Sequence, residues 1–447
     1  MWLIRFLPRE LFDGILDLLE LQDLARLSSA CHDLRAIVAP RLFGSIVLTD
    51  DTRVADSAWL AARRYGIFVR RLKIVVSSLG CTNPDCDYDW DCSPGTEAYY
   101  AVANPENGGI PASAVALLGG LEGALPALES ITIEFPARYK HSFMLFGNHW
   151  DRRAPRVVRM RNSVAMVVRA VMAALARNTS ISHLSLVNYP PLDPLGERRT
   201  SPDHKDTWER LLGRLVEFRL SLYGESLGGT GAAEMLGSRD YNRFLHRLQT
   251  FFLDHIRSIR RLTIRCSQHA PLGSIIRAGF KASFFCALGL DPDAMPFLEH
   301  LELSNMFLGA ELARFLVGRA ERPMSLSFTN IKADDVVAGK GYAWKQFFDE
   351  LVENRVFIWR FEWVPSSTPF REPWWRPEIT ASKPAEEIMA QDPSRRAFPY
   401  AWGQFENPCL GDQVHRNIQS VVEGVDQEAY DKFMHLVGSN ERRRRGL

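Results

Sequence analysis

Ile259-Arg260-Arg261-Leu262-Thr263-Ile264 and Leu298-Glu299-His300-Leu301-Glu302-Leu303 share one pattern, apolar-x-x-Leu-x-Leu. In each, apolar residues alternate with polar or charged ones. That is the period of a strand with one buried face and one wet face. The pattern recurs at residues 69–74, 128–133, 181–186 and 215–220, and in weaker form at 324–328 and 357–361. Helical periodicity lies between these runs, for example at 162–177, 241–255, 310–319 and 342–353.

A helix–strand unit of this size cannot bury its apolar face alone, so stacking neighbouring units is the natural solution. The strands resemble leucine-rich repeats, although their spacing is irregular and often exceeds the usual ~20–29 residues. Three segments interrupt the pattern. Residues 77–109 are rich in Cys, Asp, Pro and Asn, 136–161 become basic toward their end (Arg152, Arg153, Arg156, Arg159, Arg161), and 190–206 form a polar, Pro-containing stretch. Beyond Val364 the pattern fades. Residues 365–408 are rich in Pro and aromatics, including Trp374, Trp375, Phe398, Tyr400 and Trp402. Aromatics offer large areas to bury, so this tail is expected to pack back on the strands.

The N-terminal stretch has another character. It reads Leu7-Pro8-Arg9-Glu10-Leu11-Phe12-Asp13-Gly14-Ile15-Leu16-Asp17-Leu18-Leu19, then Asp23-Leu24-Ala25-Arg26-Leu27-Ser28-Ser29-Ala30-Cys31-His32-Asp33-Leu34, then Pro40-Arg41-Leu42-Phe43. Pro8 suits the start of a helix, where its missing N–H costs nothing. Leu11, Ile15 and Leu18, and likewise Phe12, Leu16 and Leu19, fall at helical steps. Asp23 is placed to cap a second helix carrying Leu24, Leu27, Cys31, Leu34 and Val38, which Pro40 would end. About forty residues is near the lower limit for independent folding, so part of this apolar surface is expected to await a partner.

On those residues the stretch resembles an F-box of the large fungal families. The match rests on Leu7-Pro8, Glu10-Leu11, Ile15-Leu16, Leu19, Asp23-Leu24, Leu27-Ser28, Cys31, Leu34 and residues 40–43. Ala30 and Leu34 stand where Val and Trp are common. The resemblance implies docking onto a Skp-type adaptor, and through it a cullin–RING ligase, as the substrate receptor of an SCF ubiquitin ligase. Carried over by position, the adaptor-binding residues would be Leu7, Pro8, Leu11, Ile15, Leu16, Leu19, Leu24, Leu27, Ser28 and Cys31. Together with the repeats, the expected architecture is α/β: an N-terminal helical F-box (1–48), an irregular leucine-rich-repeat-like solenoid (49–364) and a C-terminal aromatic/Pro-rich tail (365–447) that caps the repeats. Adaptor and an unidentified protein substrate are the expected partners, the substrate held on a concave strand surface. Catalysis by the chain itself, a cofactor and a metal are not expected. The losses of volume at Ala30 and Leu34 support a second possibility, a binding scaffold outside any ligase.

Composition sets bounds on these readings. The chain has 447 residues, 46% hydrophobic and 24% charged, with a formal charge of +1. Such a balance is globular and makes no overall electrostatic case for nucleic acid or anionic membrane. The most apolar run, 164–176, contains Arg169 and is too short to span a bilayer. Seven cysteines without secretory context point to reduced thiols in cytosol or nucleus.

Other motifs are weaker. Gly224-Glu225-Ser226-Leu227-Gly228 matches the nucleophile elbow of α/β-hydrolases, with His255, His269 and His300 downstream. No oxyanion segment precedes it, and a Gly-rich turn is the simpler reading. Cys81, Cys86 and Cys92 lie in an acidic loop but lack a fourth local ligand and the spacing of structural zinc sites. Residues 442–445 are four consecutive arginines, readable as an import signal, a phosphate contact or a solvated end.

Overall fold

A computed structural model describes residues 8–76, 112–137, 155–176, 180–194, 202–224, 239–267, 272–274, 285–286, 288–334, 341–365, 383–404 and 407–446. The chain opens with helices α1 (Arg9–Asp17), α2 (Leu21–Ala30) and α3 (His32–Leu42). Strand β1 (Ser45–Thr49) and helix α4 (Thr52–Tyr65) follow, then β2 (Arg71–Val75), α5 (Ala112–Gly119), α6 (Leu121–Ala124), β3 (Ser130–Glu134) and α7 (Pro155–Ala176). The next elements are β4 (His183–Tyr189), α8 (Pro202–Arg214), β5 (Glu217–Leu222), α9 (Arg239–His246), α10 (Leu248–Phe251) and β6 (Arg261–Arg265). A small antiparallel pair, β7 (Gly273–Ser274) and β8 (Phe285–Cys286), precedes β9 (His300–Leu308), α11 (Ala310–Val317), β10 (Met324–Ala333), α12 (Trp344–Glu353) and β11 (Ile358–Val364). The chain closes with α13 (Lys383–Gln391), the antiparallel pair β12 (Ala401–Gln404) and β13 (Asn407–Asp412), α14 (Val414–Glu423) and α15 (Val425–Arg445).

Nine of these strands form one sheet in the order β1-β2-β3-β4-β5-β6-β9-β10-β11, every neighbouring pair parallel. The order follows the chain without reversal. Register explains why. Ile46, Leu72, Ile131, Leu184, Phe218, Leu262, Leu301, Leu326 and Phe361 make one row across the whole sheet. Leu48, Ile74, Ile133, Leu186, Leu220, Ile264, Leu303, Phe328 and Trp363 make a second. Every one of these side chains is buried. The helices between strands press Ala55, Ala58 and Ala62 of α4, Val164, Val168 and Val171 of α7, and Trp208 and Leu211 of α8 into the same core. Each large side chain buried there is worth about 1.5–3 kcal/mol gross, and a one-residue slip would turn a whole row to water.

The residue just before each strand ties the rows together. The carbonyls of Gly44, Arg70, Glu129, Ser182, Val216 and Arg260 each accept two N–H donors from the next unit. Past the rows, Asn188, Asn305 and Asn330 adopt positive φ of 53°, 57° and 51°. Asn pays less than bulkier residues for that left-handed backbone. Their carboxamides then reach sideways: Asn188 Nδ2 donates to Phe135 O, Asn305 Nδ2 to Cys266 O and Asn330 Nδ2 to Asn305 Oδ1.

These findings correct the expected architecture. In place of a helical F-box followed by an irregular leucine-rich-repeat-like solenoid with a C-terminal tail, the chain is an α/β fold built on a nine-stranded all-parallel sheet. The alternating pattern located strands but carried no information on how units connect, and helix-backed parallel sheets share it. The sheet also starts earlier than residue 69. β1 begins at Ser45, inside the stretch assigned to residues 1–48, where Ile46 and Leu48 alone are too few to register as an alternating run. The C-terminal segment packs back on the strands as its aromatics suggest, but as part of the main core rather than as a separate tail. Its described residues place Phe398, Tyr400, Tyr430 and Phe433 in the main core. The stretch 190–206 contains the start of α8 at Pro202. Residues 77–109 and 195–201 lie outside the described residues.

The C-terminal end closes tightly. Phe348 stacks on Phe433 at 5.3 Å between ring centroids, and Trp363 on Phe398 at 5.1 Å. Trp344 Nε1 donates to Pro399 O. Gly424, at φ 71°, lets α14 turn directly into α15. There the fully buried Asp426 accepts from Tyr400 Oη, Ser420 Oγ and the Lys345 backbone N–H. Burial and the Asp426 charge push the Tyr400 phenol far up. Asn440 of α15 donates to the carbonyls of Val356 and Ile358, beside edge strand β11.

Candidate docking site

Helices α1–α3 form a small unit with its own core. Phe12, Leu16, Leu24, Leu34 and Val38 are its buried members, with Leu19, Leu27, Cys31 and Leu42 packed against them. Helix α1 starts after Pro8, whose carbonyl accepts from the N–H groups of Leu11 and Phe12. The second helix of the sequence reading is in fact two. α2 ends where Cys31 becomes extended, and the Cys31 sulfur then accepts from Leu34 N–H to cap α3. Ser28 and Ser29 turn their hydroxyls onto the carbonyls of Ala25 and Arg26, and Arg35 Nε takes the Ser28 carbonyl. Such local bonds favour a helix end. Asp23 lies inside the first turn of α2 rather than at its cap, where its charge suits the helix dipole. Pro40 sits within α3, in its last turn.

Arg41 locks the unit. Its Nε donates to Asp17 Oδ1 (3.0 Å), Nη1 to Asp13 Oδ1 (3.1 Å) and Nη2 to the Asp13 carbonyl (3.2 Å). The Asp17 hydrogen bond leads the contacts that raise its pKa. Phe43 stacks on Tyr65 of α4, with centroids 3.9 Å apart, where α3 runs into β1.

The apolar side chains of α1 divide into two sets. Leu16 is 1% exposed and Leu24 of α2 7%, so both belong to the unit's own core. Leu11, Ile15 and Leu18, at i, i+4 and i+7, are 59%, 44% and 87% exposed, and Leu21 at the start of α2 is 65% exposed. Of the residues carried over by resemblance, Pro8, Leu11 and Ile15 are exposed. Leu19, Leu27, Ser28 and Cys31 are half-buried, Leu16 and Leu24 are interior, and Leu7 lies outside the described residues. Leu18, Leu21 and Ile37 are exposed but were not among the carried-over residues. The spacing of Leu18 from Leu11 was the signal for it. A helix with apolar residues on both faces hides which face is inside.

A second surface is the polar face of the sheet. Ser45, Arg71, Ser130, His183, Glu217, Arg261, His300, Ser325 and Arg360 form one row there. Val47, Lys73, Thr132, Ser185, Arg219, Thr263, Glu302, Ser327 and Glu362 form the next. Ion pairs join Lys73 to Glu134 (2.5 Å), Arg219 to Glu217 (2.6 Å), Arg265 to Glu302 (2.5 Å) and Arg360 to Glu362. His300 Nδ1 lies 2.7 Å from Ser325 Oγ, and burial lowers its pKa. At the C-terminal ends of the strands, Asn188, Ser221, Gly224, Cys266, Ser267 and Asn305 help line an open cleft of about 330 Å³.

Ser226, Cys81, Cys86, Cys92 and His269 lie outside the described residues. The ring of His255 is engaged locally, by the Thr250 carbonyl at 3.0 Å and Glu209 at 3.7 Å. Among the described residues no cluster of His, Cys, Asp and Glu could hold a metal, and no helix is long and apolar enough to cross a membrane. The terminal arginines are engaged within the chain: Arg443 lies over the Phe357 ring at 5.0 Å, Arg444 over Trp359 at 3.6 Å, and Arg445 pairs with Glu441. In comparisons with known proteins, the chain matches no family model and no curated protein.

Proposed function

We propose that this chain is a substrate receptor of an SCF-type ubiquitin ligase. Helices α1–α3 dock a Skp-type adaptor, the sheet body presents the substrate, and the chain works in cytosol or nucleus. The observation that carries the reading is the exposed strip Leu11, Ile15, Leu18 and Leu21 on a unit whose interior is already filled by Phe12, Leu16, Leu24 and Val38. A small unit that has closed its core and still shows this apolar surface fits a helical face laid into a partner's groove. The F-box resemblance of residues 7–43 adds the identity of that partner. The receptor itself supplies no acid, base or nucleophile. Transfer follows from holding substrate near a charged conjugating enzyme, which raises effective concentration.

A pull-down of the full chain with purified Skp-type adaptor, cullin added second, tests this. Retention of both places the chain in a ligase. Adaptor without cullin favours a scaffold outside the ligase, and retention of neither removes the reading.

A further inference from the structure

The charges on the polar face of the sheet are unevenly matched. In the second row and beyond, Lys73, Arg219, Arg265, Glu302 and Glu362 are all spoken for in ion pairs. In the first row, Glu217 is held by Arg219 and Arg360 by Glu362. Arg71 of β2 and Arg261 of β6 are exposed and have no ion-pair partner among the described residues. Arg70 and Glu129 flank this row with opposite charges, and Arg260 pairs with Glu299 at 3.1 Å. Ser130, His183 and Glu217, the last already held by Arg219, lie between the two arginines along the row, and His300 and Ser325 beyond Arg261. The face therefore keeps two unspent positive charges, both along the edge where the strands begin.

The spacing is defined by the sheet. Four strand-to-strand steps separate Arg71 from Arg261. At about 4.8 Å per step that is roughly 19 Å, the span of about six residues of extended chain. We infer that the N-terminal border of the polar sheet face binds an extended acidic segment of a partner protein, laid across the strands so that carboxylates about six residues apart meet Arg71 and Arg261. The Ser130 hydroxyl and the His183 imidazole offer hydrogen bonds to the intervening backbone, and Glu217 beside Arg261 is already held by Arg219. This inference deepens the proposed function, because it names the substrate class of the surface taken there to hold substrate.

Labelled deca-glutamate and deca-lysine peptides, and an oligothymidylate of equal charge, added to the full chain test it by fluorescence anisotropy. Deca-glutamate is expected to bind most tightly, to weaken as salt rises from about 50 to 300 mM, and to lose at least about fivefold in affinity in Arg71→Glu/Arg261→Glu, in line with two exposed ion pairs. Adaptor retention by the same variant is expected to be unchanged, so failure here is separate from failure of the ligase reading. Equal deca-glutamate binding by the variant, or tighter binding of deca-lysine or of the oligothymidylate, overturns the inference.

Discussion

The two ends of the sheet treat apolar side chains in opposite ways. At the C-terminal end, α12, α15 and the segment before β12 bring Trp344, Phe348, Tyr430, Phe433 and Phe398 together with Phe361 and Trp363 of the edge strand, all buried. Asp426 and Asn440 satisfy backbone and hydroxyl groups within that packing. At the N-terminal end, α1–α3 complete a core of their own and leave Leu11, Ile15, Leu18 and Leu21 in water. The difference separates apolar surface that closes the fold from apolar surface left exposed beside a core that is already complete. Residue type does not distinguish them, since both ends are rich in large apolar side chains; what does is whether the interior is already full.

The sharpest break of the closed end is Phe348→Ala. It removes a ring that contacts Trp344, Phe361, Phe398, Tyr430 and Phe433. It should cost about 3–5 kcal/mol, read as a lower urea midpoint for the whole body. At the open end, Leu16→Ala cuts the small core and should cost about 3 kcal/mol, seen first as faster hydrogen exchange in α1–α3. If the exchange of α1–α3 is unaltered, Leu16 is not the centre of that unit. Arg444→Ala strips the cation from the Trp359 ring and should cost about 0.5–1 kcal/mol. An unchanged urea midpoint would make the terminal arginines free for another partner.

A smaller effect separates the sheet face from both ends. The His300 pKa lies below its ordinary value because burial opposes the charged form. The unfolded chain therefore takes up that proton first as pH falls, and stability is lost below about pH 6.5. Melting temperature should fall on acidification through that window, and less so in His300→Gln. A larger fall in the variant would contradict the assignment.

Much of the body was legible because strand alternation is a local property. Each of the eight strand-like runs overlaps an observed strand, offset by about two residues where the leading apolar residue, such as Leu128 or Ile181, packs in the approach rather than in the ladder. What was not legible depends on contacts between distant residues. Nothing in Ser45-Ile46-Val47-Leu48-Thr49 by itself shows that it starts the sheet, and the aromatics after residue 397 carry no mark of which core they join. The break at Cys31 was hidden because helical spacing continues across it. The exposed set was only partly legible: a helix with two apolar faces does not say which one is inside, and Leu16 and Leu24, carried over by resemblance as adaptor-facing, fill the interior.

The most direct test compares the two faces of α1 in one assay. Leu11→Glu/Leu18→Lys changes only exposed positions and should move stability by less than about 0.5 kcal/mol, while Leu16→Ala disturbs the core without touching the surface. Retention of purified Skp-type adaptor, measured beside the melting curve of each full-length variant, separates them. Adaptor lost in Leu11→Glu/Leu18→Lys with melting unchanged is the predicted result. Adaptor retained by that variant at wild-type level would contradict the claim that the exposed strip is the docking surface.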